Sequence, residues 1–109
     1  MSWDFDLRAD LGNGEVSVCV DTCINHTSNT NGMIHIITGT SPSGWDGMRA
    51  SEFLPLVETM IRSLTDSPEV FEPMNPANGW GSRTSLIHVL KKVKKECVRA
   101  PNAIVRMCC

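Results

Sequence analysis

Two alternating runs of apolar and polar residues, separated by a glycine-rich triplet, constrain this chain more than any other feature. Every second residue is apolar in residues 3–11, and the alternation returns in residues 15–24. A two-residue period is typical of a strand with one buried face. The triplet Gly-Asn-Gly at 12–14 tolerates positive φ angles and so favours a tight turn. The pattern predicts an antiparallel hairpin at the start of the fold.

A different period predicts two helices. In residues 51–65 and 83–99, apolar residues recur every three or four positions, which gives each helix one apolar stripe. Ser51 is a suitable N-cap for the first helix, and Ser82 or Thr84 for the second. Both segments are therefore expected to pack one face against a shared core.

The remaining segments are short or polar. A last apolar run at 103–107 predicts a third strand, whereas the run at 33–37 is too short to distinguish a strand from a helical turn. Residues 25–32 contain no aliphatic anchor and are predicted to be a polar loop. Loops are also predicted at 39–47 and at 73–81, where glycines and prolines accumulate.

The order of these elements predicts an α+β fold of two layers. A small antiparallel sheet, made of the N-terminal hairpin and the C-terminal strand, would be packed by two α-helices. The 109 residues are enough for one domain, 1–109. Because a small sheet leaves edges to cover, we expect the protein to form a homo-oligomer.

Charge and composition argue against several classes of function. Ten basic and twelve acidic residues give a net charge of −2, which argues against binding duplex nucleic acid. No apolar run is long enough for a membrane span, so a protein of the cytoplasm without a membrane partner is expected. Cys19 and Cys23 lack the spacing of a zinc site, and neither a metal nor a cofactor is predicted. No catalytic signature is present, so the protein is not expected to be an enzyme.

The most informative stretch is residues 75–83, directly before and at the start of the second helix. Asn75 and Asn78 offer donors and acceptors, and Trp80 offers a stacking face. Arg83 could hold a phosphate, and a helix N-terminus attracts anions. Together these residues suit a nucleotide-like ligand. They equally suit a rigid turn in which Trp80 packs as a plug, and the sequence leaves both interpretations open.

A second polar cluster covers residues 26–31. It supplies Thr27, Ser28 and Asn29 as further candidate ligand-binding residues, although such a segment can also be a solvated loop. We predict that residues 27–31 and 75–83 approach each other, within one chain or across a subunit interface, because neither has a core of its own. In that arrangement Trp80 would be partly buried with its indole N–H bonded.

Three short motifs connect this chain with a known family. They are Asn-Pro-x-Asn-Gly-Trp-Gly at 75–81, Thr-Ser-Asn at 27–29 and Trp-Asp-Gly at 45–47. The chain resembles a family of small, functionally unassigned proteins of tailed bacteriophages and prophages. Ser82 and Arg83 stand where that family usually has an acidic or polar residue followed by an aromatic one. The resemblance implies a viral setting and supplies no activity.

In that setting we expect a non-enzymatic phage accessory protein in the host bacterial cytoplasm. It would bind a small nucleotide-type ligand and sequester a signalling nucleotide of host defence. The alternative is an inhibitor that binds a host defence protein directly. That alternative predicts an apolar surface patch, with Trp45 and Trp80 exposed side by side.

Overall fold

A computed structural model describes residues 1–21 and 24–109 and has the predicted two-layer α+β fold. Its strands are β1 (Ser2–Asp10), β2 (Glu15–Ser17), β3 (Asn25–Thr27) and β4 (Ile104–Cys108). Its helices are α1 (Asn31–Thr38), α2 (Ala50–Asp66), α3 (Pro68–Phe71) and α4 (Arg83–Arg99). Short 3-10 turns cover Ser28–Thr30, Pro42–Trp45 and Glu72–Met74.

Strand β1 lies at the centre of an antiparallel sheet. Strand β4 pairs along one side of β1, from Asp4 opposite Cys108 to Arg8 opposite Ile104. Strands β2 and β3 pair in succession along the other side. The predicted hairpin is therefore present, and β2 and β3 are two parts of one edge.

The predicted strand over 15–24 is wrong beyond Ser17. The β2 register ends at Ser17, although the Val18 N–H still donates to the Leu7 carbonyl at 2.9 Å and the Ile24 carbonyl accepts the Phe5 N–H at 2.9 Å. Thr22 and Cys23 lie outside the described residues. The predicted buried face is also wrong at Val16 and Val20, which are exposed.

The cause of this break is a buried carboxylate on α4. Glu96 accepts hydrogen bonds from the backbone N–H of Val20 (2.9 Å) and of Asp21 (3.4 Å), so these amides do not pair with β1. Arg99 bonds the same carboxylate at 2.8 Å and also bonds the carbonyl of Val18. Burial raises the pKa of Glu96, but the bonds from Arg99 and the two amides outweigh it and hold the pKa below its ordinary value.

Residues 25–32 are not the predicted loop. Asn25–Thr27 forms β3, Ser28–Thr30 is a 3-10 turn, and α1 starts at Asn31. His26 and Thr30 fill buried positions that aliphatic side chains usually occupy, which is why the sequence pattern missed them. The undecided run at 33–37 belongs to α1.

The core lies between the sheet and helices α2 and α4. Trp3, Phe5 and Leu7 of β1 are buried, as the alternation predicts, whereas Leu11 at the end of the same run is exposed. Trp45 is also buried, packing edge-on against Trp3 with ring centroids 5.5 Å apart. The predicted helical stripes are confirmed, apart from Ile61, which is only partly buried. They comprise Phe53, Val57, Met60 and Leu64 of α2, and Leu86, Val89, Leu90, Val93 and Cys97 of α4.

The helix ends agree closely with the expected bounds. Ser82 caps α4 through a reciprocal pair of bonds with Ser85. Ser51 is not the cap of α2, because α2 starts one residue earlier with Arg49 in the capping position. Across the described parts of the chain, no helix combines the length and apolarity needed to cross a membrane.

Candidate functional site

The two polar segments singled out in the sequence meet in the fold, as predicted. We call residues 75–83 the Gly-Trp loop and residues 27–31 the Thr-Ser-Asn segment. The Asn29 side-chain amide donates to the carbonyl of Trp80 at 3.3 Å. Gly81 packs so closely on the segment that a Cβ there would lie 2.5 Å from Cγ2 of Thr27. The contact between the two segments therefore requires a residue without a side chain at position 81.

Local hydrogen bonds and glycine conformations set the shape of the Gly-Trp loop. The Asn78 Oδ1 accepts the backbone N–H of Trp80 at 2.9 Å, which closes a tight side-chain turn. Gly79 and Gly81 have φ angles of +76° and +89°, in the region that favours glycine. The turn presents the Trp80 side chain outward, with 71% of its surface exposed. The expectation that Trp80 is partly buried with a bonded indole is therefore wrong.

One half of the loop, which we call the closed half, is tied to the helices. The Asn75 Oδ1 accepts the backbone N–H of Arg83 at 2.8 Å. The Arg83 guanidinium bonds Glu72 at 2.8 Å and the carbonyl of Leu64 at 2.7 Å. Its side chain is only 18% exposed. Asn75 and Arg83, both predicted ligand-binding residues, thus hold the loop against the end of α2.

The electrostatics of the closed half agree with this structural role. Arg83 holds the pKa of Glu72 below its ordinary value, mainly through their hydrogen bond. Asn75 donates to the other oxygen of the same carboxylate at 2.8 Å. The cation that the sequence offered for a phosphate is thus already paired within the protein.

The N-terminus of α4 is similarly engaged. The backbone N–H of Arg83 bonds Asn75, and that of Ser85 bonds the Ser82 hydroxyl at 3.1 Å. A helix attracts anions through amides that have no partner. Here side chains of the protein already satisfy two of these amides.

The other half, which we call the open half, borders a cleft of about 670 Å³. Asn78 and Trp80 form one side of the cleft, and residues 1–2, strand β3 and Asn29 form the other. Of the predicted site residues, Thr27, Asn29, Asn78 and Trp80 line this cleft, whereas Ser28, Asn75 and Arg83 do not.

Several polar atoms at the cleft are free to bind a ligand. The Asn25 side chain donates to Asp4 at 2.8 Å and keeps its Oδ1 without a partner among the described residues. Within the same ranges, the Oδ1 of Asn29 and the Nδ2 of Asn78 also have none. Beside the Trp80 indole, the cleft thus offers two amide acceptors and one amide donor.

His26 also lines the cleft, and its place was not predicted. It lies opposite Trp3 in the β1–β3 pairing, with 9% of its surface exposed. Burial lowers its pKa, so the imidazole is uncharged at neutral pH. Its Nε2 has no hydrogen-bond partner in the part of the chain that the structure describes. A prediction that residue 26 pairs with Trp3 in the sheet would have identified His26 as a buried residue.

The side-by-side exposure of Trp45 and Trp80, which the alternative hypothesis predicted, is not formed. Trp45 is 1% exposed and lies in the core, whereas Trp80 is on the surface. In residues 1–21 and 24–109, no group of three or more His, Cys, Asp or Glu side chains is arranged to hold a metal ion. Comparison with protein-family models, curated proteins and solved structures found no match to this chain.

Proposed function

We propose that this protein binds a small nucleotide-type ligand in the cleft and does not transform it. The observation that carries the proposal is the exposed Trp80 indole beside an open polar cleft. A large aromatic side chain is seldom left in water, and a flat heterocycle that stacks on it removes that exposure.

The positions of Trp80 and its neighbours support a preformed site. Asn78 bonds the Trp80 amide and Asn29 bonds the Trp80 carbonyl, so the backbone that carries the indole is held from both sides. A platform that is already ordered loses little conformational entropy when a ligand binds. The free amide atoms around it can bond the edge of a base.

The resemblance to phage proteins extends this proposal to a biological role. A protein that binds without turnover acts by occupancy, so we propose that it sequesters a signalling nucleotide of host defence in the bacterial cytoplasm. A homo-oligomer would multiply the number of such sites. This role requires that the protein binds such a nucleotide, so nucleotide binding is measured first.

The test is titration calorimetry with cyclic dinucleotides, cyclic trinucleotides and cyclic ADP-ribose isomers, paired with tryptophan fluorescence. Trp3 and Trp45 are each 1% exposed, so iodide quenching reports on Trp80. We expect heat release together with protection of Trp80 from iodide. Because stacking contributes about 1–3 kcal/mol per base, Trp80→Ala should weaken binding by about 5- to 150-fold.

The matched control is Val70→Ala, an exposed apolar residue on α3 that does not line the cleft. It should bind like the unmodified protein. If none of these ligands releases heat or protects Trp80, the proposed function is wrong.

A further inference from the structure

We propose that the cleft recognises the uncharged base-and-sugar part of its ligand and leaves any phosphate in solvent. This inference rests on the proposed function and specifies which part of a nucleotide is read. It reverses the expectation from the sequence, in which Arg83 and the helix N-terminus would hold a phosphate.

The first argument is the position of the cations. No lysine or arginine side chain lines the cleft within the described ranges. Arg83, the nearest in sequence to Trp80, donates to Glu72 and to the Leu64 carbonyl instead. A phosphate would have to break an ion pair and a bond to a backbone carbonyl to recruit it.

The second argument is the charge that the cleft does present. Asp4 lies opposite Asn25 in the β1–β3 pairing and accepts its amide at 2.8 Å, which places a carboxylate beside this wall. The His26 imidazole adds no positive charge, since its burial favours the neutral form. Met1 also borders the cleft, so a phosphate placed there would meet amide dipoles, a nearby carboxylate and one α-amino group, without the bidentate contact that an arginine gives.

The third argument is the match between the free polar atoms and a nucleobase. Asn25 and Asn29 each present an Oδ1 acceptor, and Asn78 presents an Nδ2 donor. The edges of nucleobases carry donors and acceptors side by side and no formal charge. Amides next to an indole face are thus suited to a nucleoside.

The experiment compares three sets of probes by calorimetry and Trp80 fluorescence. These are the four common ribonucleosides, their 5′-monophosphates, and ribose 5-phosphate. Each is titrated at about 50 and about 300 mM KCl, since salt screens exposed phosphate contacts. We expect at least one nucleoside to bind within about threefold of its monophosphate, without a salt effect, and ribose 5-phosphate not to bind.

The possible results separate this inference from the proposed function. Monophosphates that bind about tenfold or more tightly than their nucleosides, and lose that advantage in salt, overturn the inference while the proposed function stands. Binding of ribose 5-phosphate alone overturns it as well. If cyclic nucleotides, nucleosides and monophosphates all fail to bind, both proposals are wrong.

Two variants sharpen the assignment. Arg83→Gln removes the only cation of the Gly-Trp loop and should leave the ratio of nucleoside affinity to monophosphate affinity unchanged, because loss of the clamp affects both ligands equally. Asn78→Asp keeps an oxygen to accept the Trp80 N–H but replaces the free Nδ2 donor by a carboxylate oxygen. It should weaken nucleoside binding about tenfold or more, because a donor is lost and an acceptor faces an acceptor. A loss of monophosphate affinity in Arg83→Gln without a matching loss of nucleoside affinity would contradict the proposal.

Discussion

The two halves of the Gly-Trp loop contain the same kinds of polar side chain and use them in opposite ways. In the closed half, Asn75 and Arg83 are hydrogen-bonded to Glu72 and to each other, and Arg83 also bonds the Leu64 carbonyl. In the open half, the Oδ1 of Asn78 accepts the Trp80 N–H within the turn, and its Nδ2 is available at the cleft. The difference shows that neighbouring acceptors, not residue type, decide whether a polar side chain stabilises the loop or is available to a ligand.

Among the variants of the loop, the largest expected effect is that of Gly81→Ala, which breaks the contact between the Gly-Trp loop and the Thr-Ser-Asn segment. The added Cβ would meet Thr27 at 2.5 Å in a left-handed backbone conformation. Backbone strain and overpacking together should lower the free energy of unfolding by about 2–4 kcal/mol. Urea denaturation followed by circular dichroism measures this change.

Gly79→Ala is the matched control. Gly79 has a similar φ of +76°, but a Cβ there meets nothing within 4 Å. It should cost only the backbone strain, about 1–2 kcal/mol. Equal losses for the two variants would show that the contact between the loop and Thr27 is not tight.

The next effect is that of Arg83→Gln on stability, which removes the clamp of the closed half. The Leu64 carbonyl loses its partner, so we expect a loss of about 1–3 kcal/mol in the free energy of unfolding. Thermal denaturation measures it, with Arg62→Gln as control because Arg62 is exposed on α2. A stability equal to that of the control would mean that the closed half does not hold the loop.

A smaller effect on stability is expected when the pH is lowered, because His26 at the cleft is buried. Burial lowers the pKa of His26 below 6.5, so the unfolded chain binds more protons than the folded one as the pH falls. The stability present above pH 6.5 should therefore decrease progressively below it. Glu72 and Glu96, whose pKa values are lowered from 4.5, lose their contribution to stability at still more acidic pH.

Urea midpoints at about pH 7.5 and about pH 5.5 test this expectation. His26→Gln cannot take up the proton and should show a smaller difference between the two values. If the variant and the unmodified protein lose the same stability, His26 is not the group responsible.

The smallest effect on stability is expected in the open half. Trp80 is 71% exposed, so Trp80→Ala should change the free energy of unfolding by no more than about 0.5 kcal/mol. Trp45→Ala, which removes a buried ring, should cost about 3–5 kcal/mol and serves as the contrast. A large loss for Trp80→Ala would show that the indole packs against the protein after all.

The helices could be predicted from the sequence because their signals are local. The stripe and the Ser82 cap of α4 lie within the helix itself, and its predicted bounds agree with the structure. The break after β2 could not be predicted in this way. Its cause, the carboxylate of Glu96, is 76 positions from Val20 along the chain. An alternating pattern alone does not reveal an acceptor brought in by tertiary packing.

The location of the site could be predicted from the sequence. Its separation into a closed half and an open half could not. Two polar segments without apolar anchors were expected to meet, and they do. The sequence did not show that Glu72, eleven positions before Arg83, would engage the guanidinium. Nor did it show that His26 would be buried beside Trp3. Both depend on how β3 and the end of α2 are placed, which is a property of the whole fold.

The central position of β1 also sets the order in which the sheet can assemble over time. Its ladder with β2 joins residues separated by a tight turn, whereas its ladder with β4 joins residues about a hundred positions apart. Closing the longer loop costs about 3 kcal/mol more in chain entropy. The β1–β2 hairpin can therefore form early, while the β1–β4 ladder must wait for the helices between them to collapse. Substitutions in the turn at 12–14 should therefore slow folding, whereas substitutions in the β1–β4 ladder should mainly speed unfolding.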